Sequence, residues 1–84
     1  MGKDATGEGF VAVTPSDTVN IAKNSRGAWP RALRFGTGGT AVLVGTDDSV
    51  GTFTNIADGE TIDCDVKRIN ATGSSGIANI VGIY

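Results

Sequence analysis

Histidine is absent from this 84-residue chain, cysteine occurs once, proline twice, and aromatic residues make up only 6%. Each shortage removes a class of function. Without histidine, Ser-His and Cys-His nucleophile pairs are excluded, and the usual zinc ligand sets cannot be assembled. Cys64 has no partner within the chain, so no intrachain disulfide can form. No apolar run approaches the ~18 residues of a membrane span, and the N-terminus lacks the basic, apolar and cleavage regions of a secretory signal. The net charge of −2 is no basic excess, so no nucleic-acid partner is expected. The expectation is a soluble protein made in a cytoplasm, with no cofactor and no membrane partner. Gly2 followed by Thr6 does fit the loose myristoylation template, although a short polar start matches it by chance.

A single domain of this size buries only roughly 60% of the surface its unfolded chain exposes. A core that thin rarely supplies more than ~3–5 kcal/mol, and small natural domains add disulfides, metals or partner subunits. Disulfides and the usual zinc sites are ruled out here, which leaves oligomerisation.

What the chain does have is glycine, 13 residues of it, together with abundant Thr, Val and Ile. That mixture favours short strands punctuated by turns. Residues 1–9 are polar and without apolar period, and read as a flexible arm that orders against a neighbour. Residues 10–84 read as one all-β domain, a small antiparallel sandwich or barrel of seven to eight short strands.

Phe10 to Thr14 is the first expected strand, Thr14-Pro15-Ser16-Asp17 a turn, and residues 18–21 a second short strand. Residues 22–30 lack alternation and form the expected long loop, ending in Trp29-Pro30. In the next strand Leu33 and Phe35 share one face, and Ala32 and Arg34 the other. Residues 40–45 are nearly all apolar and are expected to be the most buried strand. Gly36-Thr37-Gly38-Gly39 and Asp58-Gly59 both read as hairpin turns, with Asp47-Asp48-Ser49 as the turn between them. Near the end, Ile62, Cys64 and Val66 alternate with Asp63, Asp65 and Lys67, as on a half-buried strand. A Gly/Ser turn over residues 73–76 then leads to a last strand with Ile77, Val81 and Ile83 in phase, so the chain reads as a complete small module.

Candidate sites are few. Asp63 and Asp65, two apart on one strand, would project to the same face roughly 7 Å apart. Such a pair could hold a cation or serve a glycosidase, but a solvated face that discourages edge pairing, partly neutralised by Lys67, is simpler. Gly36 to Gly39 matches neither standard phosphate-loop spacing, and no helix follows it. Asn70-Ala71-Thr72 is a glycosylation sequon with no secretory route to use it. Cys64, in the apolar phase of its strand, is most simply a small core residue. Trp29, beside Arg26, Arg31 and Arg34, is either a lid on the domain's own core or an anchor in a subunit contact, with sugar stacking as a third option.

The charges are segregated. Lys23, Arg26, Arg31 and Arg34 occupy one window, and Asp47, Asp48, Asp58, Glu60, Asp63 and Asp65 another. Two oppositely charged sides would let copies bind head to tail and close into a ring, unless folding intermixes the windows. Lys23, Arg26, Trp29, Arg31, Arg34, Asp63 and Asp65 are therefore candidate subunit or capsid contacts and not a catalytic set.

One resemblance gives these features a setting. Val13-Thr14-Pro15-Ser16-Asp17, Arg31-Ala32-Leu33-Arg34-Phe35-Gly36-Thr37-Gly38-Gly39, Thr52-Phe53, Gly59, Val66-Lys67-Arg68-Ile69-Asn70-Ala71-Thr72-Gly73 and the final Ile83-Tyr84 follow one another in the order seen in a known family. From about Phe10 to Tyr84 the chain resembles the small head spike-base proteins of tailed phages and phage-derived gene transfer agents. The resemblance implies a non-enzymatic virion component on the capsid exterior, made in the host bacterial cytoplasm. Its implied partners are copies of itself in a vertex-matched ring, the major capsid protein, and the spike or fibre it carries. Residues 20–30 depart from the family, being longer and carrying Trp29. A carbohydrate-binding β-module and a capsid decoration (cement) protein are the alternatives.

Overall fold

The computed structural model describes residues 9–84. The expected arm over residues 1–9, apart from Gly9, and the Gly2 to Thr6 pattern lie outside the described residues. Seven strands run β1 Phe10–Val13, β2 Ala32–Thr37, β3 Thr40–Gly45, β4 Val50–Phe53, β5 Glu60–Asp63, β6 Val66–Ser75 and β7 Ala78–Ile83. They form two antiparallel sheets, ordered β1-β7-β2-β5 and β4-β3-β6. The fold is the all-β antiparallel sandwich expected from the strand and turn pattern.

The alternation in β2 is real: Leu33 and Phe35 are fully buried between the sheets, and Arg34 is exposed. Complete burial of such side chains contributes about 1.5–3 kcal/mol each. They meet Ala41 and Leu43 of β3, Ile69 of β6 and Ile80 of β7 in one core cluster. As expected, β3 is the most buried strand, with Ala41 to Val44 all inside.

Several connections differ from the expectation. Gly36-Thr37-Gly38-Gly39 does not close a hairpin, because β2 pairs with β5 and β7 while β3 lies in the other sheet. The glycines make a tight corner between sheets, and a Cβ on Gly38 would sit 1.9 Å from the Ile56 carbonyl oxygen. Asp58-Gly59 is likewise a crossover from β4 to β5. The two corners lock together, since the Gly38 N–H donates to Asp58 Oδ1 at 2.7 Å and the Ile56 N–H to the Gly39 carbonyl at 3.0 Å. The Asp47-Asp48-Ser49 turn does close a hairpin, β3 to β4. Its Gly45 N–H donates to the Ser49 carbonyl at 2.8 Å.

The expected strand through Ile62, Cys64 and Val66 is broken at Cys64 and Asp65, where the chain turns from one sheet into the other. The expected turn over residues 73–76 is mostly strand, with β6 running to Ser75. Residues 18–21 form no strand. They run along the free edge of β6, held by Ser16 N–H to the Ile69 carbonyl and Ile21 N–H to the Lys67 carbonyl, both 2.8 Å.

Candidate interaction surface

The loop over residues 22–30 is built around Asn24. Its side-chain Oδ1 accepts from the backbone N–H groups of Arg26 and Ala28, each at 2.9 Å, and its own N–H donates to the Ala28 carbonyl at 2.9 Å. An asparagine can mimic a backbone turn in this way, so a long loop acquires a defined shape. Trp29 emerges from that turn half-buried, with Lys23 Nζ 4.7 Å from its ring centroid in a cation–π contact. Pro30 behind it is fully buried. The hydroxyl of Tyr84 donates to the Ala22 carbonyl, tying the loop to the end of β7.

Arg31 and Arg34 are both exposed, on or next to β2. Antiparallel pairing of β2 with β5 sets Arg34 opposite Thr61 and Ala32 opposite Asp63. The Cys64 N–H donates to the Arg31 carbonyl at 3.0 Å, and the Val66 N–H to the Pro30 carbonyl at 3.2 Å. Trp29, Arg31, Asp63 and Asp65 are therefore gathered around one corner of the sandwich. Lys23 joins them through the Trp29 ring, Arg26 sits on the loop turn, and Arg34 lies three residues along β2. The two charge windows thus share an edge instead of occupying separate sides.

Asp63 and Asp65 are exposed but flank the β5–β6 corner, so they do not stand in register on one strand. Lys67 does not neutralise them; it forms an ion pair with Asp48 of the β3–β4 turn. Cys64 is partly buried against the core, and burial first, then the charges of Asp65 and Asp63, pushes its thiol pKa up. Such a thiol is a poor nucleophile at neutral pH.

One cluster was legible only in part. Ser16 and Asp17 are recognisable as turn formers, and Ser16 does act locally, accepting from the N–H groups of Thr18 and Val19. Asp17 reaches instead to β6, accepting from the Thr72 N–H at 2.9 Å and the Thr72 hydroxyl at 2.6 Å. These bonds, the hydroxyl's above all, hold its carboxyl below the usual carboxylate range. Arg68 adds a bond to Asn20 at 2.9 Å.

Thr72 sits in a bulge. Thr40 faces Ser75 while Val42 faces Asn70, so β6 carries extra residues between the two pairings. The Ser74 hydroxyl bridges the gap, accepting from the Val42 N–H at 2.9 Å and donating to the Asn70 carbonyl at 2.6 Å. Gly73, at φ +90°, folds over Val42 so closely that a Cβ would lie 2.9 Å from Cγ2. That approach covers the outward face of Val42. The Asp17 and Gly73 segments, far apart in sequence, are one structural unit.

The remaining feature is apolar. Phe10, Val19, Val50 and Phe53 are the large hydrophobic side chains left exposed among the described residues. Between β3, β4 and the β5–β6 corner lies a cleft of about 430 Å³ lined by Leu43, Phe53, Cys64 and Val66, with Asp47 and Asp65 also on its walls. Asp47 is held below its ordinary pKa by the Ser49 hydroxyl and N–H. A smaller groove of about 210 Å³ separates β1 from residues 19–22.

No family model matches this chain, and no curated protein matches it in sequence. A solved structure does. A chain in the capsid of a native gene transfer agent (GTA) particle, computed with C5 symmetry, is 34% identical and superposes with a TM-score of 0.74. The match covers 90% of this chain and 81% of that one. At that identity and coverage, with the same fold, this chain belongs to the capsid-associated proteins of phages and gene transfer agents.

Proposed function

We propose that this chain is a non-enzymatic virion component, the base that attaches a head spike or fibre to the capsid exterior as a symmetric oligomer. The observation that carries the reading is the likeness to a chain of a GTA capsid computed with C5 symmetry. A fivefold axis of a capsid passes through its vertices, and a closed ring of five identical subunits fits there. The physical traits of the chain support this. Its core is thin, four large apolar side chains among the described residues stand in solvent, and β1, β4 and β5 are outer strands of the two sheets. A protein that is always assembled can carry such edges, because its neighbours cover them.

The partners in this reading are further copies of the chain, the major capsid protein beneath and a spike or fibre protein above. A decoration protein differs from a base in having nothing mounted on it. The carbohydrate-binding alternative loses ground at Trp29, because a ring that is half-buried with a lysine ammonium over it is a poor stacking platform for a sugar.

Imaging particles with and without this protein tests the proposal. The expected result is density for its copies at the vertices, with spikes or fibres missing from otherwise complete capsids when the protein is deleted. Copies spread over the capsid faces, with spikes unaffected by the deletion, would support the decoration role instead. Absence of the protein from purified particles would overturn both.

A further inference from the structure

Between β1 and the loop that leads to Trp29, residues 14–20 run as a strap along the edge of β6, the outer strand of the three-stranded sheet. The residues at its two ends, Val13 and Ile21, are both buried in the core cluster. None of the residues between them is buried, and Val19 is 67% exposed. The strap is thus pinned at both ends by apolar packing and fastened along its length by polar contacts. The Ser16 N–H donates to the Ile69 carbonyl at 2.8 Å, and Arg68 Nη1 donates to Asn20 Oδ1 at 2.9 Å. Between these, Asp17 accepts from the Thr72 N–H at 2.9 Å and from the Thr72 hydroxyl at 2.6 Å.

We propose that the strap is a hinged cover, which lifts from β6 between Val13 and Ile21 while the domain stays folded, and that protonation of Asp17 releases it. A segment held by exposed hydrogen bonds opens at a lower free energy than one held by buried apolar contacts. Lifting leaves Val13 and Ile21 in place, and the bond from the Ile21 N–H to the Lys67 carbonyl, at 2.8 Å, marks the hinge. What the strap uncovers is the Ile69 carbonyl and the Thr72 N–H. A covered strand edge becomes an open one.

Asp17 is the clasp that can switch. Its ionised carboxylate accepts from both Thr72 donors, whereas a protonated carboxyl turns one of those acceptor oxygens into a donor. The hydrogen bonds from Thr72, and after them the charge of Arg68 facing Asp17 from β6, favour the ionised form. The strap carries no other ionisable side chain. It therefore stays shut at neutral pH and loosens as pH falls through the value at which the native carboxyl titrates. This hinge is independent of the capsid-base reading.

Amide hydrogen exchange of the wild-type chain, resolved by NMR, tests the hinge. At neutral pH the Ser16 and Thr72 N–H groups are expected to exchange about tenfold or more faster, relative to their intrinsic rates, than those of Leu33 and Phe35 in the middle of the four-stranded sheet. Their exchange should depend little on denaturant, and the Ile21 N–H should stay as protected as the core. Below about pH 3.9, the ordinary value for an aspartate, the gap should widen in the wild type. Asp17→Asn should show the wide gap already at pH 7, with no further change in acid. Equal protection and equal denaturant dependence at Ser16, Thr72, Leu33 and Phe35 would mean that the strap opens only with the whole fold, and so would loss of β2 protection at the same pH; either overturns the proposal. Early exchange at Ile21, or a wild-type gap that does not move with pH, overturns it as well.

Discussion

Asp17 and Thr72, 55 residues apart, are joined by two hydrogen bonds that seat the turn after β1 on the bulge of β6. The segment they fasten also covers the open edge of the three-stranded sheet. Asp17→Ala is expected to lower the melting temperature by a few degrees at neutral pH. The native carboxyl titrates below its unfolded value of about 3.9, so the stabilisation is fully present above that pH and is lost as pH falls through the native value. Thermal melts followed by circular dichroism should therefore show wild type and variant converging in acid. A difference that persists unchanged at low pH would mean that the side chain acts through packing.

Tyr84 governs the alkaline side. Burial raises its pKa above 10, and its hydroxyl donates to the Ala22 carbonyl, a bond that ionisation destroys. A group whose native pKa is raised stabilises the fold below its unfolded pKa and loses that contribution as pH climbs through the native value. Cys64 acts in the same direction. Tyr84→Phe should cost about 0.5–1.5 kcal/mol at pH 7, the usual net worth of such a bond. It should also flatten the loss of stability above pH 10 in urea titrations.

The glycine corner at Gly38 offers a contrast with Gly27. A methyl group on Gly38 meets the Ile56 backbone at 1.9 Å, whereas one on Gly27 meets nothing within 4 Å and suffers only from the positive φ of 77°. Gly38→Ala is expected to cost about 3 kcal/mol or more, as overpacking against a rigid backbone does. Gly27→Ala should cost roughly 1–2 kcal/mol. Denaturant midpoints compared at equal slope would check the order, and a milder effect at Gly38 would show that the two corners do not lock the sheets.

Trp29 and Arg31 test the loop corner as a contact. Trp29→Ala and Arg31→Glu are expected to weaken assembly about tenfold or more while leaving the fold largely intact, as truncation of a tryptophan or arginine anchor does. Concentration-dependent light scattering, run beside thermal melts, separates the two effects. A lower melting temperature with unchanged oligomer size would assign Trp29 to the core alone.

Most strands were legible because one face is wet, and β3 because neither is. Leu33 and Phe35 against Arg34 betray β2 at once, and the unbroken apolar run of β3 identifies the strand that is buried on both faces. The connections were not legible, for a physical reason. Gly36 to Gly39 and Asp58-Gly59 meet the local demands of a hairpin, yet the same residues suit a corner in which two backbones must touch. The break at Cys64 was hidden in the same way, because Ile62, Cys64 and Val66 all face the core from one sheet or the other and the period of two runs through the corner uninterrupted.

The amino-acid sequence by itself determined that the protein is all-β, built on a small core, free of histidine chemistry and without an intrachain disulfide. Those properties follow from residue types and their spacing along the chain. Only the tertiary structure decided which strands are neighbours, that the charge windows share an edge, and that Asp17 belongs with Thr72. It also laid residues 14–20 along the edge of β6, since sheet pairing and corner packing are contacts between residues far apart in the chain and leave no local periodicity to read.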